Sequence, residues 1–218
     1  MISQLLKKII DDNNRFVEKH NDGYFSPHMT SQHPQITLVS CSDSRVQPHV
    51  LLDDPIDQIF TVENIGNQIT SAQGSVDYGV LHLHTPILLV LGHSDCGDIK
   101  AFMKGYDGEP EAIKNEIDTL KGAVLPFDNK GSFEEEVLGN VQRNVDYQVD
   151  IAAKRYEILI DKGSLTVIGA IYDFLNTFAR GHGRVVITNI NGIKEPERMR
   201  DMPFIKGMRD QISIARLV

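Results

Sequence analysis

The sequence predicts an α/β fold with a mainly parallel central β-sheet flanked by helices, and three observations carry that prediction. Short β-rich runs recur along the chain: ITLVSC (36–41), QIFTVEN (58–64), ILLVLGH (87–93), LTVIGAIYD (165–173) and RVVITNI (184–190). Their apolar character is near-continuous rather than alternating, as in strands covered on both faces. Longer helical stretches separate them, the order that builds parallel sheets.

At the N-terminus, Ile2, Leu5, Leu6, Ile9, Ile10, Phe16 and Val17 recur at helical spacing over 2–19, with Lys7, Lys8, Asp11 and Asp12 on the other side. This amphipathic helix must bury its stripe against something. A second helix is expected over about Ser75 to His84. Residues 105–131 carry Gly, Pro and several charges and read as a surface excursion. A third helix is expected to begin at Ser132, where Glu135 completes a capping box, and to run to Lys162 before Gly163. The 218 residues contain no internal repeat, low-complexity tract or linker, so the expectation is a single domain spanning 1–218.

The formal net charge is −8 and no basic patch interrupts it, which argues against nucleic acid or an anionic membrane surface as partner. No apolar run approaches the ~18 residues of a membrane span. MISQLLKKIIDDNNRF lacks the pattern of a signal peptide, because lysines and aspartates break its apolar positions. A soluble, cytoplasmic protein is therefore expected. In a reducing compartment its two cysteines serve as thiols or metal ligands more readily than as a disulfide.

Both cysteines fall beside predicted strand ends: Cys41 closes the first run in CSDSR, and Cys96 follows the third in GHSDCG, shortly after His93. The carboxyl edge of a parallel sheet is where sites are built. Two thiolates and an imidazole suit Zn2+, and three protein ligands leave a fourth tetrahedral position for solvent, as in catalytic sites. On spacing alone, two inert buried cysteines and a hydrogen-bonded histidine explain these residues as well, since a lone H-x-x-C is a weak motif. Asp43 and Arg45 add weight to the metal reading, because they alternate with Cys41 along an extended segment and can share a side with it. An aspartate there can accept a hydrogen bond from a metal-bound water, and an arginine can hold that carboxylate. Elsewhere the same two residues would read as a surface ion pair.

With CSDSRV at 41–46, N-I-G-N at 64–67, SVDYGVLHL followed by GHSDCG at 75–97, GAIYDF at 169–174 and GHGRVVITNING at 181–192, the chain resembles the β-class carbonic anhydrases. The resemblance implies one Zn2+ per chain on Cys41, His93 and Cys96, and reversible hydration of CO2 to bicarbonate and a proton by a zinc-bound hydroxide. Asp43 and Arg45 would be catalytic, and Gln32, Phe60, Ile65 and Tyr78 would line a narrow substrate pocket. It also implies a homodimer or homotetramer in which the N-terminal helix packs on a neighbouring subunit. Asp98 departs from the family, which commonly has Gly there. Leu38 and Glu63 replace the Trp and Arg with which one branch builds a second bicarbonate pocket, so Asp43 is expected on Arg45 rather than on the metal. A zinc hydrolase of carbonyl sulfide and a zinc-stabilised interaction protein without turnover are the competing readings.

Overall fold

The computed structural model describes residues 1–128, 131–208 and 211–218. Its contacts divide the chain into two units, Met1–His33 and Pro34–Val218.

In the first unit, helix α1 (Ile2–Lys19) matches the predicted periodicity. Lys7–Asp11 and Lys8–Asp12 pairs, each at 2.6 Å, support its polar side at i,i+4 spacing. None of its described residues is buried, and Leu5, Leu6, Ile9 and Ile10 are each more than half exposed. The short helix α2 (Asp22–Phe25) follows, and Phe16, His20, Tyr24 and Phe25 stack into an aromatic knot around the joint.

The second unit is built on five strands: β1 (Ile36–Cys41), β2 (Ile59–Asn64), β3 (Ile87–His93), β4 (Thr166–Asp173) and β5 (Arg184–Ile190). They lie in the order β2-β1-β3-β4-β5. The first four run parallel, and β5 returns antiparallel to β4. Alternation along the strands sorts the core into two layers. Val39, Leu88, Val90, Val167 and Ile171 share one cluster with the long helix α6 (Phe133–Arg155), while Leu38, Leu89, Leu91 and Ala170 belong to another.

Glycines allow α6 to sit close against the sheet. A Cβ at Gly92 would stand 2.6 Å from a Val145 methyl, and one at Gly169 would stand 2.8 Å from the other. Ser132 caps α6 as predicted, in a capping box with Glu135.

Three expectations need correction. The helix expected over 75–84 begins earlier, as α3 (Gln73–Asp77), and widens into a turn over Tyr78–His82 in which the Leu83 N–H reaches back to the Tyr78 carbonyl. The helix expected to reach Lys162 stops at Arg155; Tyr156, buried and hydrogen-bonded to Asp77, breaks it before α7 (Glu157–Asp161). The excursion at 105–131, of which 129 and 130 lie outside the described residues, contains helix α5 (Glu111–Asp118) and buries Ile117, Leu120 and Val124 in the core. Its apolar positions were hidden among charges that face solvent. The unit also contains α4 (Gly97–Lys104), α8 (Pro196–Arg200) and α9 (Pro203–Lys206). No described helix is long and apolar enough to cross a membrane.

Candidate metal centre

Strand geometry assembles the centre. Cys41 is the last residue of β1 and His93 the last of β3, the neighbouring strand, so parallel pairing brings their ends to one edge. The chain then turns through Ser94 and Asp95, the latter at φ +61, and Cys96 becomes the N-cap of α4. The ligand atoms of Cys41, His93 and Cys96 all lie within 4.8 Å of one another, and all three residues are buried.

The imidazole is set up to coordinate. His93 Nδ1 lies 2.9 Å from the Ser94 carbonyl, which can only accept, so Nδ1 carries the proton and Nε2 presents its lone pair. Nε2 is buried with no hydrogen-bond partner among the described residues. An orphaned acceptor beside two thiols is costly unless something electrophilic meets it. The thiols are tuned unequally. A hydrogen bond from Cys96, with further help from His93 and the Gly66 N–H, holds the Cys41 thiol well below its ordinary range. Cys96 is pushed up by its role as donor to Cys41 and by burial, although the Ile99 N–H on α4 opposes this. This donor set, with a lone pair and an ionisable thiol already oriented, fits a divalent ion of borderline softness.

Beside the cluster, Arg45 grips Asp43 with both arms of its guanidinium, Nε to Oδ1 at 2.9 Å and Nη2 to Oδ2 at 2.7 Å. The Arg45 contacts hold the Asp43 carboxyl far below the usual carboxylate range. Asp43 Oδ2 stands 3.9 Å from His93 Nε2, near the atom that would face a metal. Arg45 is itself fixed: Nη1 reaches Asp95 at 3.2 Å, Lys100 holds Asp95 at 2.7 Å, and the guanidinium lies 4.5 Å above the Phe174 ring. Asp95 and Phe174 were not singled out from sequence. Asp95, lying between two predicted ligands, was the available signal.

The structure also pairs Phe60 with Tyr78, their ring centroids 5.7 Å apart, with Tyr78 44% exposed. Ile65 is half-buried and directly precedes Gly66. Gln32 is exposed in the N-terminal unit. Asp98 is buried on the first turn of α4, and neither carboxylate oxygen has a hydrogen-bond partner among the described residues. Burial, and then the nearby Cys41 and Glu116, push its carboxyl up to about 7.

An open, mainly parallel sheet with a thiol–imidazole–thiol cluster at its carboxyl edge defines a class of α/β proteins with a three-donor metal site. The carbonic anhydrase family model matches residues 36–178, which include the cluster, Asp43 and Arg45. The chain belongs to that family, in its β class. It is 29% identical over 174 residues to a carbonic anhydrase of Synechococcus elongatus, covering 72% of this chain and 63% of that protein. With a Synechocystis carbonic anhydrase it shares 33% over 102 residues, 40% of this chain and 37% of that one. The chain thus spans less than two thirds of either relative. Among solved structures, a tetrameric β-carbonic anhydrase from Sordaria macrospora superposes with a TM-score of 0.70 at 22% identity, over 84% of this chain and 96% of that one.

Proposed function

We propose that this protein is a zinc-dependent carbonic anhydrase that reversibly hydrates CO2 to bicarbonate and a proton. The observation that carries the reading is the buried Cys41–His93–Cys96 cluster, with its unpartnered Nε2, beside a clamped Asp43–Arg45 pair. These three residues would hold one Zn2+ per chain. Bound there, zinc supplies a Lewis acid that makes water a nucleophile at neutral pH.

The chain's own residues do the rest. Two thiolates cancel the formal charge of the ion, so orientation of the nucleophile by neighbouring groups gains importance. Asp43 offers an ionised Oδ2 on the His93 Nε2 side, placed to accept a hydrogen bond from the attacking water and fix the lone pair that faces CO2. Arg45 is a positioning residue: it keeps Asp43 ionised and turned away from the ligands. Phe60, Ile65 and Tyr78 supply the apolar wall of the CO2 pocket. Leu38 and Glu63 offer no cation to a regulatory bicarbonate, consistent with Asp43 resting on Arg45.

The protein acts as a homodimer or homotetramer in the cytoplasm. The exposed apolar stripe of α1 supports assembly, as does the tetrameric state of the Sordaria relative.

Asp43→Asn tests the chemistry. The variant should retain zinc while CO2 hydration falls about 10–100-fold, because the amide cannot accept the water's hydrogen bond and orient it in the same way. Near-normal turnover in the zinc-loaded variant would remove Asp43 from the mechanism, and absence of turnover in the wild type would leave a zinc-stabilised interaction protein.

A further inference from the structure

Arg45 faces two carboxylates at once. Its side chain is 46% exposed, and its guanidinium places Nε and Nη2 on Asp43 at 2.9 and 2.7 Å while Nη1 reaches Asp95 at 3.2 Å. A long, half-exposed side chain between two acids can take either one singly or turn to solvent. What holds the fork in the plane that serves both is a flat surface beside it, since guanidinium groups stack on aromatic faces.

Phe174 supplies that surface, with the Arg45 Cζ 4.5 Å from the centroid of its ring. The same ring stacks on the His93 imidazole, centroids 6.0 Å and planes 27° apart, and meets Tyr172 edge-on with centroids at 5.8 Å. The backbone puts it there. Tyr172 pairs with His93 across β3 and β4, so Phe174, the first residue after β4, emerges beside the turn that follows His93. Ser94 ties the two segments together. Its N–H donates to the Tyr172 carbonyl at 3.1 Å, its Oγ accepts from the Phe174 N–H at 3.1 Å, and its carbonyl accepts from His93 Nδ1 at 2.9 Å. From the far end of the loop, His182 Nδ1 donates to the Phe174 carbonyl at 2.9 Å. Phe174 is thus held at its N–H, its carbonyl and its ring.

We propose that Phe174 is a positioning residue: its ring, seated on His93, holds the Arg45 guanidinium in the plane that clamps Asp43 with both arms. An aliphatic side chain in its place leaves both ion pairs possible and removes the surface that aligns them, so Arg45 is released toward Asp95 and solvent, and Asp43 loses its fixed orientation. The benefit to turnover rests on the proposed role of Asp43 in orienting the attacking water.

The Arg45 Nε–H gives a readout independent of turnover. Bonded to Asp43 Oδ1, it should exchange slowly with solvent, and its proton–nitrogen resonance, assigned by its loss in Arg45→Lys, reports that bond. Phe174→Leu should keep one zinc per chain, speed this exchange about fivefold and lower kcat by a similar factor. Phe174→Tyr, which keeps the aromatic face, should restore both. Phe178→Leu removes a ring of the same loop that packs on the core, and should lower stability while leaving exchange and kcat at wild-type values. In an Arg45→Ala background, Phe174→Leu should cost no further activity. If Phe174→Leu does not fold, Phe174→Met carries the same comparison. Wild-type exchange in Phe174→Leu, an equal loss in Phe174→Tyr or Phe178→Leu, or an undiminished further loss of kcat in the absence of Arg45 would overturn the proposal. A wild type with the expected exchange pattern that hydrates no CO2 would overturn the proposed function and leave the clamp standing.

Discussion

Helix α1 runs for 18 residues with none of its described residues buried, whereas α6 runs for 23 and buries about half of its own. Both are amphipathic, so the difference lies in what each stripe is made of and what it meets. The α1 stripe is purely apolar, and the charges on the helix's other side pair with one another at i,i+4 spacing. The α6 stripe mixes valines, which fill the space over Gly92 and Gly169, with amides that tie down loops far away in sequence. A purely apolar face asks only for another apolar face, which a second copy of the chain can supply. A face with buried amides is committed to one set of partners, because each unmet donor or acceptor costs about 1–3 kcal/mol. One helix leaves its apolar face open, and the other spends its face on the fold of its own unit.

Charge placed on each helix should break that contrast most forcefully. Val145→Asp puts an unpaired carboxylate where side-chain exposure is nil, and should cost at least about 3–5 kcal/mol, enough to prevent recovery of folded protein. Ile9→Asp should leave the far-ultraviolet circular dichroism unchanged and shift sedimentation toward the monomer, with activity falling as subunits separate. If Ile9→Asp sediments like the wild type, α1 is not the assembly surface.

Gly92→Ala sharpens the account of how closely α6 approaches. The new methyl would meet Val145 and Val141, and overpacking of this kind costs about 1–3 kcal/mol. Urea denaturation should show that loss, and combining it with Val145→Ala should recover part of it.

The smallest effect concerns the end of α6. Arg155 and Tyr156 both bond Asp77 on α3, and Arg155 contributes most to holding the Asp77 carboxyl below its ordinary 3.8. A depressed folded-state value means the carboxylate stabilises the fold above 3.8 and loses that contribution as pH falls through the lower folded value. The stability gap between wild type and Asp77→Asn should therefore be present at pH 6 and close progressively below pH 3.8. A gap independent of pH would show that ionisation of Asp77 contributes nothing to stability there.

How much of this was legible in the chain depended on whether the signal was local. Strands announced themselves as apolar runs, so the sheet followed from periodicity; Cys41, His93 and Cys96 stood at or just after their ends, but spacing alone left them open to an inert reading, and the resemblance to the β-class carbonic anhydrases made them a ligand set. Asp43 and Arg45 were readable because they are close in sequence to Cys41. Asp95 and Phe174 were not, because the Arg45 contacts that give them meaning cross from β1 to the segments after β3 and β4. Asn144 and Gln148 carried no sequence signal; only the tertiary structure shows that Gly66 and Ile69 use their amides. The break at Tyr156 was invisible for the same reason, since its hydroxyl answers to Asp77 on another helix.

In the proposed function, the cluster at the sheet edge holds the zinc on which CO2 hydration depends. Metal-stripped protein is titrated with zinc, and the initial rate of CO2 hydration is followed at each addition. A linear rise that breaks at about one equivalent per chain is expected, and it should be absent in Cys96→Ser. A rate indifferent to zinc, or a Cys96→Ser variant that titrates like the wild type, would contradict it.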